Sequence, residues 1–153
     1  NLKHAEYAQR SIDELFSAEV MAKVKVKEGN FFRSIIALND GNGQFTIQEL
    51  PAEVQFSCVC DIYCGDLNGD QLPDLMLGGN DGGFTPQFSK LDASFGHVVI
   101  NSGNGKFNRI PQSESGFFVR GDIRQLVPVT QGGQPYILVG INNEAAQLWK
   151  INK

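Results

Sequence analysis

The first part of the chain has hydrophobic positions at helical spacing. Within residues 3–22, the apolar residues that recur on one predicted helix face are Ala5, Ala8, Ile12, Leu15 and Phe16. This periodicity predicts helix, and no other stretch of the sequence shows it. Ser17 is placed to cap a second short turn that reaches Val20 and Met21.

From Val24 onward, apolar and polar positions alternate with period two, and the runs are separated by turns rich in glycine and asparagine. Such alternation predicts β-strands. The candidate strands are residues 23–28, 31–39, 44–49, 55–64, 73–78, 96–101, 106–110, 117–124, 135–141 and 146–151. Many short strands with regular turns favour an all-β sandwich, barrel or propeller.

An internal repeat favours the propeller. IIALNDGNGQFTIQELP at 35–51 aligns with VVINSGNGKFNRIPQ at 98–112, and the first glycines of the two Gly-Asn-Gly turns are 62 positions apart. By the same comparison we expect Gly65-Asp66 to correspond to Gly121-Asp122, and residues 75–78 to correspond to 137–140. A period near sixty with four strands per unit suits a propeller blade, although common blade repeats are shorter, about 40–50 residues.

The expected fold is therefore mainly β, with about two four-stranded antiparallel propeller blades preceded by a short N-terminal helical segment. We divide the chain into 1–30, the helical segment with a lead-in strand, and 31–153, the blades. A propeller ring needs about four to eight blades, so the remaining blades of a parent protein are expected partners. The chain begins at Asn1 with neither a Met nor a signal-like segment, as expected for a piece of a longer protein.

Composition excludes some classes of partner. The chain has 153 residues, 41% of them hydrophobic and 20% charged, which is an ordinary globular composition. The net charge of -4, with no Lys/Arg cluster, argues against nucleic acid as a partner. No apolar run is long enough to cross a bilayer, so direct membrane insertion is not expected.

Three cysteines lie close together at Cys58, Cys60 and Cys64. They share one parity with Phe56 and Ile62, and residues two apart on one strand have poor disulfide geometry. The spacing also lacks the CxxC pairs typical of zinc sites. We therefore expect all three to be core thiols that behave as small hydrophobic residues.

The stretch GDLNGDQLPDLMLGGN at 65–80 places oxygen-bearing groups at alternate positions. These are Asp66, Asn68, Asp70, the backbone carbonyl of Leu72, and Asp74. Alternate residues of a chain that curls around an ion point inward, and Ca²⁺ takes six to eight oxygen ligands in flexible geometry. An EF-hand needs a Glu at its twelfth position, where this loop has a leucine. Either the loop binds calcium, or it is an Asp- and Asn-rich turn without metal.

This loop, together with the hairpins NDGNGQF and NSGNGKF, resembles the FG-GAP/VCBS repeat family, whose blades build integrin-α-like propellers. Over residues 31–150 the chain is similar to the C-terminal part of bacterial VCBS-repeat, ASPIC/UnbV-like surface or secreted proteins. The resemblance implies Ca²⁺ as cofactor, with the five oxygen-bearing residues as ligands. It departs at the sixth loop position, where the family usually has Gly and this chain has Gln71. The second repeat keeps Asp122 and no further acid, so one site is expected.

Catalytic signatures such as a nucleophile elbow, a P-loop or a zinc-protease helix do not occur in the sequence, and His97 is expected only to border a strand. We expect a non-catalytic calcium-binding module for recognition or adhesion, extracellular or on the outer envelope of a bacterium. Its partner is an unknown protein or glycan, contacted through the long loop 78–96 by Phe84, Phe88 and Phe95. The alternative is an accessory part of a glycan-active enzyme.

Overall fold

The computed structural model describes residues 3–85, 87 and 89–152. The chain divides into two compact units, Asn1–Phe32 and Arg33–Lys153. This boundary lies two residues after the one predicted from the sequence. Each unit is described by itself.

The first unit contains three helices of a single turn each: α1 (His4–Tyr7), α2 (Ile12–Leu15) and α3 (Ala18–Met21). The predicted helical segment is therefore present, but it is interrupted. Ser11 and Ser17 begin new turns, because Ser11 pairs with Glu14 in a capping box and the Ser17 hydroxyl accepts the amide of Val20 at 3.4 Å. No helix among the described residues is long and apolar enough to span a membrane.

The predicted lead-in strand at 23–28 is wrong. Residues 24–30 have no regular secondary structure, and within the described chain no other segment pairs with them. Val26 is 74% exposed. Alternation of Lys and Val is compatible with a strand, but a strand also needs a neighbour to satisfy its backbone groups.

The second unit is built from three antiparallel sheets. The first sheet contains β1 (Ile35–Asn39) and β2 (Phe45–Glu49). The second contains β3 (Val59–Gly65), β4 (Asp74–Gly79), β5 (His97–Asn101) and β6 (Phe107–Ile110). The third contains β7 (Ile123–Gln131), β8 (Gln134–Ile141) and β9 (Gln147–Lys150). A mainly β fold is thus confirmed, and the described strands form no closed ring.

Two short helical segments in this unit were not predicted. A 3₁₀ turn spans Ala52–Phe56, and α4 spans Gln112–Ser115. Both follow a proline, at Pro51 and Pro111, which presets the backbone for a turn.

The hairpin repeat is confirmed in the strand register. Asn39 pairs with Phe45 at the end of β1–β2, and Asn101 pairs with Phe107 at the end of β5–β6. In each turn the asparagine side chain accepts an amide two residues on, from Gly41 at 2.9 Å and from its counterpart at 3.0 Å. The two hairpins are therefore equivalent, with a constant offset of 62 positions.

The inner strand pairs β3–β4 and β7–β8 are also equivalent. Each contains one register irregularity near its start, after which Asp61 pairs with Gly78 and Gln125 pairs with Gly140. Following the two registers from these points, Leu75 corresponds to Ile137. The predicted correspondence of residues 75–78 with 137–140 is therefore confirmed.

The predicted match of Gly65-Asp66 with Gly121-Asp122 is wrong. Gly65 ends β3, whereas Gly121-Asp122 precedes β7; by register, the counterparts of Gly65-Asp66 are Val129-Thr130. The Asp122 carboxylate accepts the amide of Gly82 at 2.9 Å. Asp122 therefore holds the long loop 78–96 through this hydrogen bond, and it is not the remnant of a second metal site.

The predicted strand 117–124 is also wrong over most of its length. Residues 117–122 form no strand, although Phe117 and Val119 are buried. Their alternation places side chains in the core, but the backbone joins no strand ladder; Val119 donates its amide to the Phe95 carbonyl at 2.9 Å. Strand β7 follows instead and contains Pro128, a residue that usually argues against strand.

The core lies between neighbouring sheets. Met76 and Val98 of the second sheet pack with Leu126, Ile137 and Val139 of the third. A second cluster lies on the other side of the second sheet and contains Leu50, Val54, Leu77 and Val99, with Ile36 of β1 packed against it. The second sheet is therefore covered on both faces, as face-to-face sheet packing requires.

Strand β3 corrects the prediction for the cysteines. Exposure alternates along it, but Cys60, Ile62 and Cys64 lie on the exposed side. The inward side carries Asp61, whose carboxylate accepts the amide of Leu126 in the third sheet at 2.7 Å. The prediction that the cysteines share one side of the strand with Ile62 was correct, but the prediction that this side is buried was wrong. The inward side can hold the polar Asp61 because a backbone amide of the neighbouring sheet satisfies its carboxylate.

Candidate metal centre

The acidic loop joins β3 to β4 through residues 66–73. It brings carboxylate oxygens of Asp66, Asp70 and Asp74 within 4.8 Å of one another. These are the three acids that the sequence singled out, and within the described residues no other group of three or more His, Cys, Asp or Glu side chains is arranged in this way.

Asp74 is the anchor of the site. It begins β4, is fully buried, and its two oxygens accept the amides of Leu67 at 2.9 Å and Asn101 at 2.8 Å. Hydrogen bonds to an ionised acceptor are stronger than neutral ones. Asp74 thus ties the start of the loop to the end of β5.

Asp66 and Asp70 hold the outer part of the loop. Asp66 accepts the amide of Gly69 at 2.6 Å, and Asp70 accepts the amide of Leu72 at 2.8 Å. The side-chain amide of Asn68 both donates to the Asp70 carboxylate and accepts the Asp70 backbone amide, each at 3.0 Å. These contacts close the loop as Asx-type turns.

The backbone at the sixth loop position is left-handed. Gln71 has φ of 68° and Gly69 has φ of 90°. The sequence predicted a costly conformation at Gln71, and this is confirmed: the glycine beside it does not remove the need for a positive φ. A residue with a Cβ pays roughly 1–2 kcal/mol in this region.

The donor set fits a hard cation. With Ca–O distances of about 2.3–2.6 Å, two ligand oxygens on opposite sides of Ca²⁺ lie at most about 5.2 Å apart. The carboxylate oxygens of the three acids lie within 4.8 Å of one another, which is close enough for one ion to contact all three. All the side-chain donors are oxygens. Three carboxylates at this separation repel one another, and a divalent cation between them turns this repulsion into attraction. The roles of Asn68 and of the Leu72 carbonyl as ligands stay predictions.

Comparisons with known proteins gave no match: no family model, no curated protein and no solved structure is similar to the chain. Membership of the FG-GAP/VCBS family stays a prediction from the sequence.

A groove of about 550 Å³ lies between the second and third sheets, beside the acidic loop. Apolar side chains such as Ile110 and Trp149 form much of its lining, and Lys150 and Glu114 add charge. Leu67 and Asn68 of the loop also line it. A change in the loop would therefore change one wall of this groove, which sequence reasoning did not find because its walls come from distant segments.

The aromatic residues predicted for ligand binding differ in their surroundings. Phe84 is 45% exposed. Phe95 is half-buried and stacks on Phe118, with ring centroids 4.7 Å apart. Phe88 lies outside the described residues. Phe95 therefore packs against the protein itself, and ligand binding by Phe84 stays a prediction.

Asn80 organises the long loop and was not singled out from the sequence. It is 2% exposed, and its side-chain amide donates to the carbonyls of Ser94 at 2.7 Å and Gly121 at 2.9 Å. Its oxygen accepts the Ser94 amide at 3.0 Å and the Ser57 hydroxyl at 2.9 Å. One side chain thus joins both ends of the loop to the segment before β7. The local signal was weak, an asparagine after two glycines at a strand end.

His97 begins β5, which confirms the prediction that it borders a strand. Arg109 donates to its Nδ1 at 3.4 Å, and Nε2 lies 3.2 Å from the Ser94 hydroxyl. Since Nδ1 accepts, Nε2 carries the proton and cannot act as a base toward Ser94. Burial, followed by the charge of Arg109, lowers the pKa of His97, with Glu53 acting in the opposite direction.

Proposed function

We propose that the chain is a non-catalytic, calcium-binding part of a β-propeller that serves recognition or adhesion outside the cell or on its surface. The observation that carries this proposal is the convergence of Asp66, Asp70 and Asp74 in a loop between two strands of a regular sheet.

The propeller interpretation assigns each sheet to a blade. The second sheet is a complete four-stranded meander, the first sheet supplies the two outer strands of the preceding blade, and the third supplies the first three strands of the next. The equal offset of the hairpins and the shared irregularity in β3 and β7 support this assignment. A blade repeat of this kind agrees with the resemblance to the FG-GAP/VCBS family.

Calcium has a structural role in this proposal. The acids hold the ion, and Asn68 and the Leu72 carbonyl are further oxygen donors. The ion supplies the positive charge that lets three carboxylates lie together. Because Asp74 is bonded to β5 and Asn68 lines the groove, an ordered loop fixes one wall of the groove.

The groove is the recognition surface that the geometry favours. Its mixed apolar and charged lining suits a segment of a partner protein or a glycan, with Trp149 as the aromatic contact. Extracellular calcium modules bind at about 10⁻⁴–10⁻³ M, and this is the affinity range that the proposal expects for the loop.

Thermal unfolding with calcium and with chelator tests the proposal. With about 2 mM Ca²⁺ and this affinity range, binding adds roughly 0.6–1.8 kcal/mol to the free energy of unfolding, which raises the melting temperature by a few degrees. Asp70→Ala should abolish the rise. Asp92→Ala, at an exposed acid of the long loop, is the matched control and should keep it. Equal melting temperatures of the unaltered chain under both conditions would overturn the proposal.

A further inference from the structure

The two cysteines at the start of β3 are in contact. The Sγ atoms of Cys58 and Cys60 are 3.9 Å apart, close enough for one thiol to donate to the other. Cys60 is exposed and Cys58 is half-buried, so a reagent in solution can reach the pair through Cys60. The sequence predicted poor disulfide geometry for residues two apart on one strand, as a regular strand would give.

A β-bulge accounts for the contact. Along the β3–β4 ladder, Val59 pairs with Gly79, and Asp61 pairs with the neighbouring glycine. Cys60 is therefore an extra residue with no partner opposite. A bulge bends its strand and re-aims a side chain, and here the side chain of Cys60 meets that of Cys58.

The third sheet shows the same effect with different side chains. At its irregularity, Arg124 is the counterpart of Cys60. The residue two positions earlier, Asp122, is the counterpart of Cys58. The Asp122 carboxylate and the Arg124 guanidinium are 3.7 Å apart. The bulge thus brings together residues two apart in both sheets, whatever their chemistry.

The third cysteine is too far away to compete. Cys64 lies four positions after Cys60, and a strand rises about 3.3 Å per residue, so roughly 13 Å separates the two along β3. The ladder is regular from Asp61 to Gly65, and no bend shortens this separation.

Proximity selects the pair, and an activated thiolate does not. Burial, followed by the hydrogen bond with Cys58, raises the pKa of Cys60, and the charge of Arg124 acts in the opposite direction. Cys60 is therefore a thiol at neutral pH and has no special reactivity toward a single-step alkylating reagent.

We propose that Cys58 and Cys60 form a reversible intrachain disulfide with a small disulfide oxidant such as oxidised glutathione, and that Cys64 stays outside this pair. One cysteine thiolate attacks the oxidant, forms a mixed disulfide and releases one glutathione thiolate. The other cysteine thiolate then attacks the protein sulfur of the mixed disulfide, and the second glutathione thiolate leaves. Two electrons pass from the protein to the oxidant, and the two thiol protons end on the released glutathione molecules.

The bond needs a small movement and is expected to be labile. An S–S bond is about 2.05 Å long, so the two sulfurs must approach by about 1.9 Å. The disulfide closes a loop of only three residues, and short loops constrain the unfolded chain least. Exposed disulfides that add little stability are readily reduced, so the pair responds to the redox state of its surroundings.

Oxidation changes a contact at the start of the long loop. The Cys60 thiol donates to the Asn80 carbonyl at 3.4 Å, and a disulfide has no hydrogen to donate. Arg124 lies 3.8 Å from the same sulfur and donates to Asp81 at 3.4 Å. The oxidation state of the pair therefore acts where the loop 78–96 leaves β4.

Oxidation of the full chain tests the proposal. The chain is treated with about 5 mM oxidised glutathione and a chelator, which removes thiol-bound metal, and free thiols are then alkylated. Cleavage on the N-terminal side of Asp61 places the pair and Cys64 on different peptides for mass spectrometry. The peptide with the pair should lose two hydrogens in at least about nine-tenths of the chains, since neighbouring thiols have a millimolar or higher effective concentration. Excess reduced glutathione should restore it. A pair that stays reduced, or that carries glutathione, overturns the proposal.

Ile62→Cys supplies a matched control without a bulge. In a chain with Cys58→Ser and Cys60→Ser, this substitution and Cys64 form a pair that is also two apart on the exposed side of β3. In the folded chain, its ratio of disulfide to thiol should be at least about tenfold lower than that of the native pair in the same buffer. In urea the ratios should agree within about twofold, because the spacing along the chain is equal. Circular dichroism checks that both chains fold. Equal ratios in the folded chains overturn the proposal.

Two other assignments of the pair give distinct results. If the oxidised chain migrates as a dimer without reductant, the disulfide joins two copies. If Zn²⁺ protects the pair from alkylation in the reduced chain, the thiols hold a metal. Either result overturns the proposal. The calcium response is a separate measurement, because the acidic loop 66–73 follows the other end of β3, and its absence leaves the disulfide unaffected.

Discussion

The β3–β4 and β7–β8 connections join equivalent strand pairs in different ways. Strand β7 runs to Gln131, which pairs with Gln134 across the two-residue turn Gly132-Gly133. Both glycines have positive φ, 58° and 78°, as a tight hairpin turn requires. Strand β3 ends earlier, and eight residues, 66–73, separate it from β4.

The difference shows that the strand pair does not need the acidic loop. The third sheet closes the same pair with two glycines and no acid in the turn. The loop of the second sheet instead concentrates like charges and holds Gln71 at positive φ, which are both unfavourable on their own. A bound cation offsets the first of these costs, and the comparison therefore favours a binding role for the loop.

The largest expected effect is that of Asp74→Ala. Asp74 is fully buried, and its removal leaves the amides of Leu67 and Asn101 without their acceptor. We expect the free energy of unfolding to fall by about 3 kcal/mol, measured by urea denaturation. Tyr136→Ala at the equivalent position of the third sheet is the control and should cost less. Equal losses would contradict the anchoring role of Asp74.

Exchange of the connections tests the comparison directly. Residues 66–73 are replaced by the sequence of 130–135, which closes β7–β8. We expect the sheets to form, as judged by circular dichroism, and the calcium-dependent rise of a few degrees to disappear, because Asp66 and Asp70 are gone. A chain that keeps the rise after this exchange binds calcium elsewhere.

A smaller effect is expected at Gln71. Gln71→Gly relieves the left-handed strain but increases the entropy of the unfolded chain, so the net gain in stability should be at most about 1 kcal/mol. Gly132→Ala introduces a Cβ at positive φ in the other connection and should lose a similar amount. Chemical denaturation of both variants measures the two changes in the free energy of unfolding. A loss of stability in Gln71→Gly would show that the left-handed residue is not strained.

The smallest expected effect is a pH dependence of stability that is caused by His97 in the second sheet. His97 has a pKa below its ordinary value because it is buried and faces Arg109, and the third sheet has Gln147 in its place. The neutral form is favoured on folding, so its stabilisation is complete above the unfolded pKa of about 6.5 and is lost as pH falls through the lower folded pKa. His97→Gln should flatten melting temperature against pH below 6.5. An unchanged profile would assign the dependence to other groups.

Local signals were sufficient for part of the fold. The Gly-Asn-Gly turns predicted both outer hairpins, because glycine and asparagine adopt positive φ without a partner elsewhere. The spacing of the oxygen-bearing residues predicted that Asp66, Asp70 and Asp74 converge. This signal is also local, since a loop this short determines its own curvature. Ser17 was identified as a cap from sequence alone, and its bond to Val20 confirms it.

Long-range relations were not predictable in this way. The alternation of β3 gave the two sides but not which side is buried, because that depends on Asp61 meeting the Leu126 amide 65 positions away. Gly121-Asp122 and Gly65-Asp66 have the same amino-acid sequence, but they are not structurally equivalent: Gly65 ends β3, whereas Gly121-Asp122 precedes β7. Residues 117–122 alternate like a strand and have no strand to pair with.

The sequence by itself determined the helical character of the N-terminal segment, the equivalence of the hairpins and the grouping of the acids, because each depends on neighbours within a few residues. The tertiary structure decided which face of β3 is covered, the role of Asn80 in joining the long loop, and the groove beside the acidic loop. Those features depend on groups from separate sheets, and burial and hydrogen bonding between them exist only once the sheets have packed.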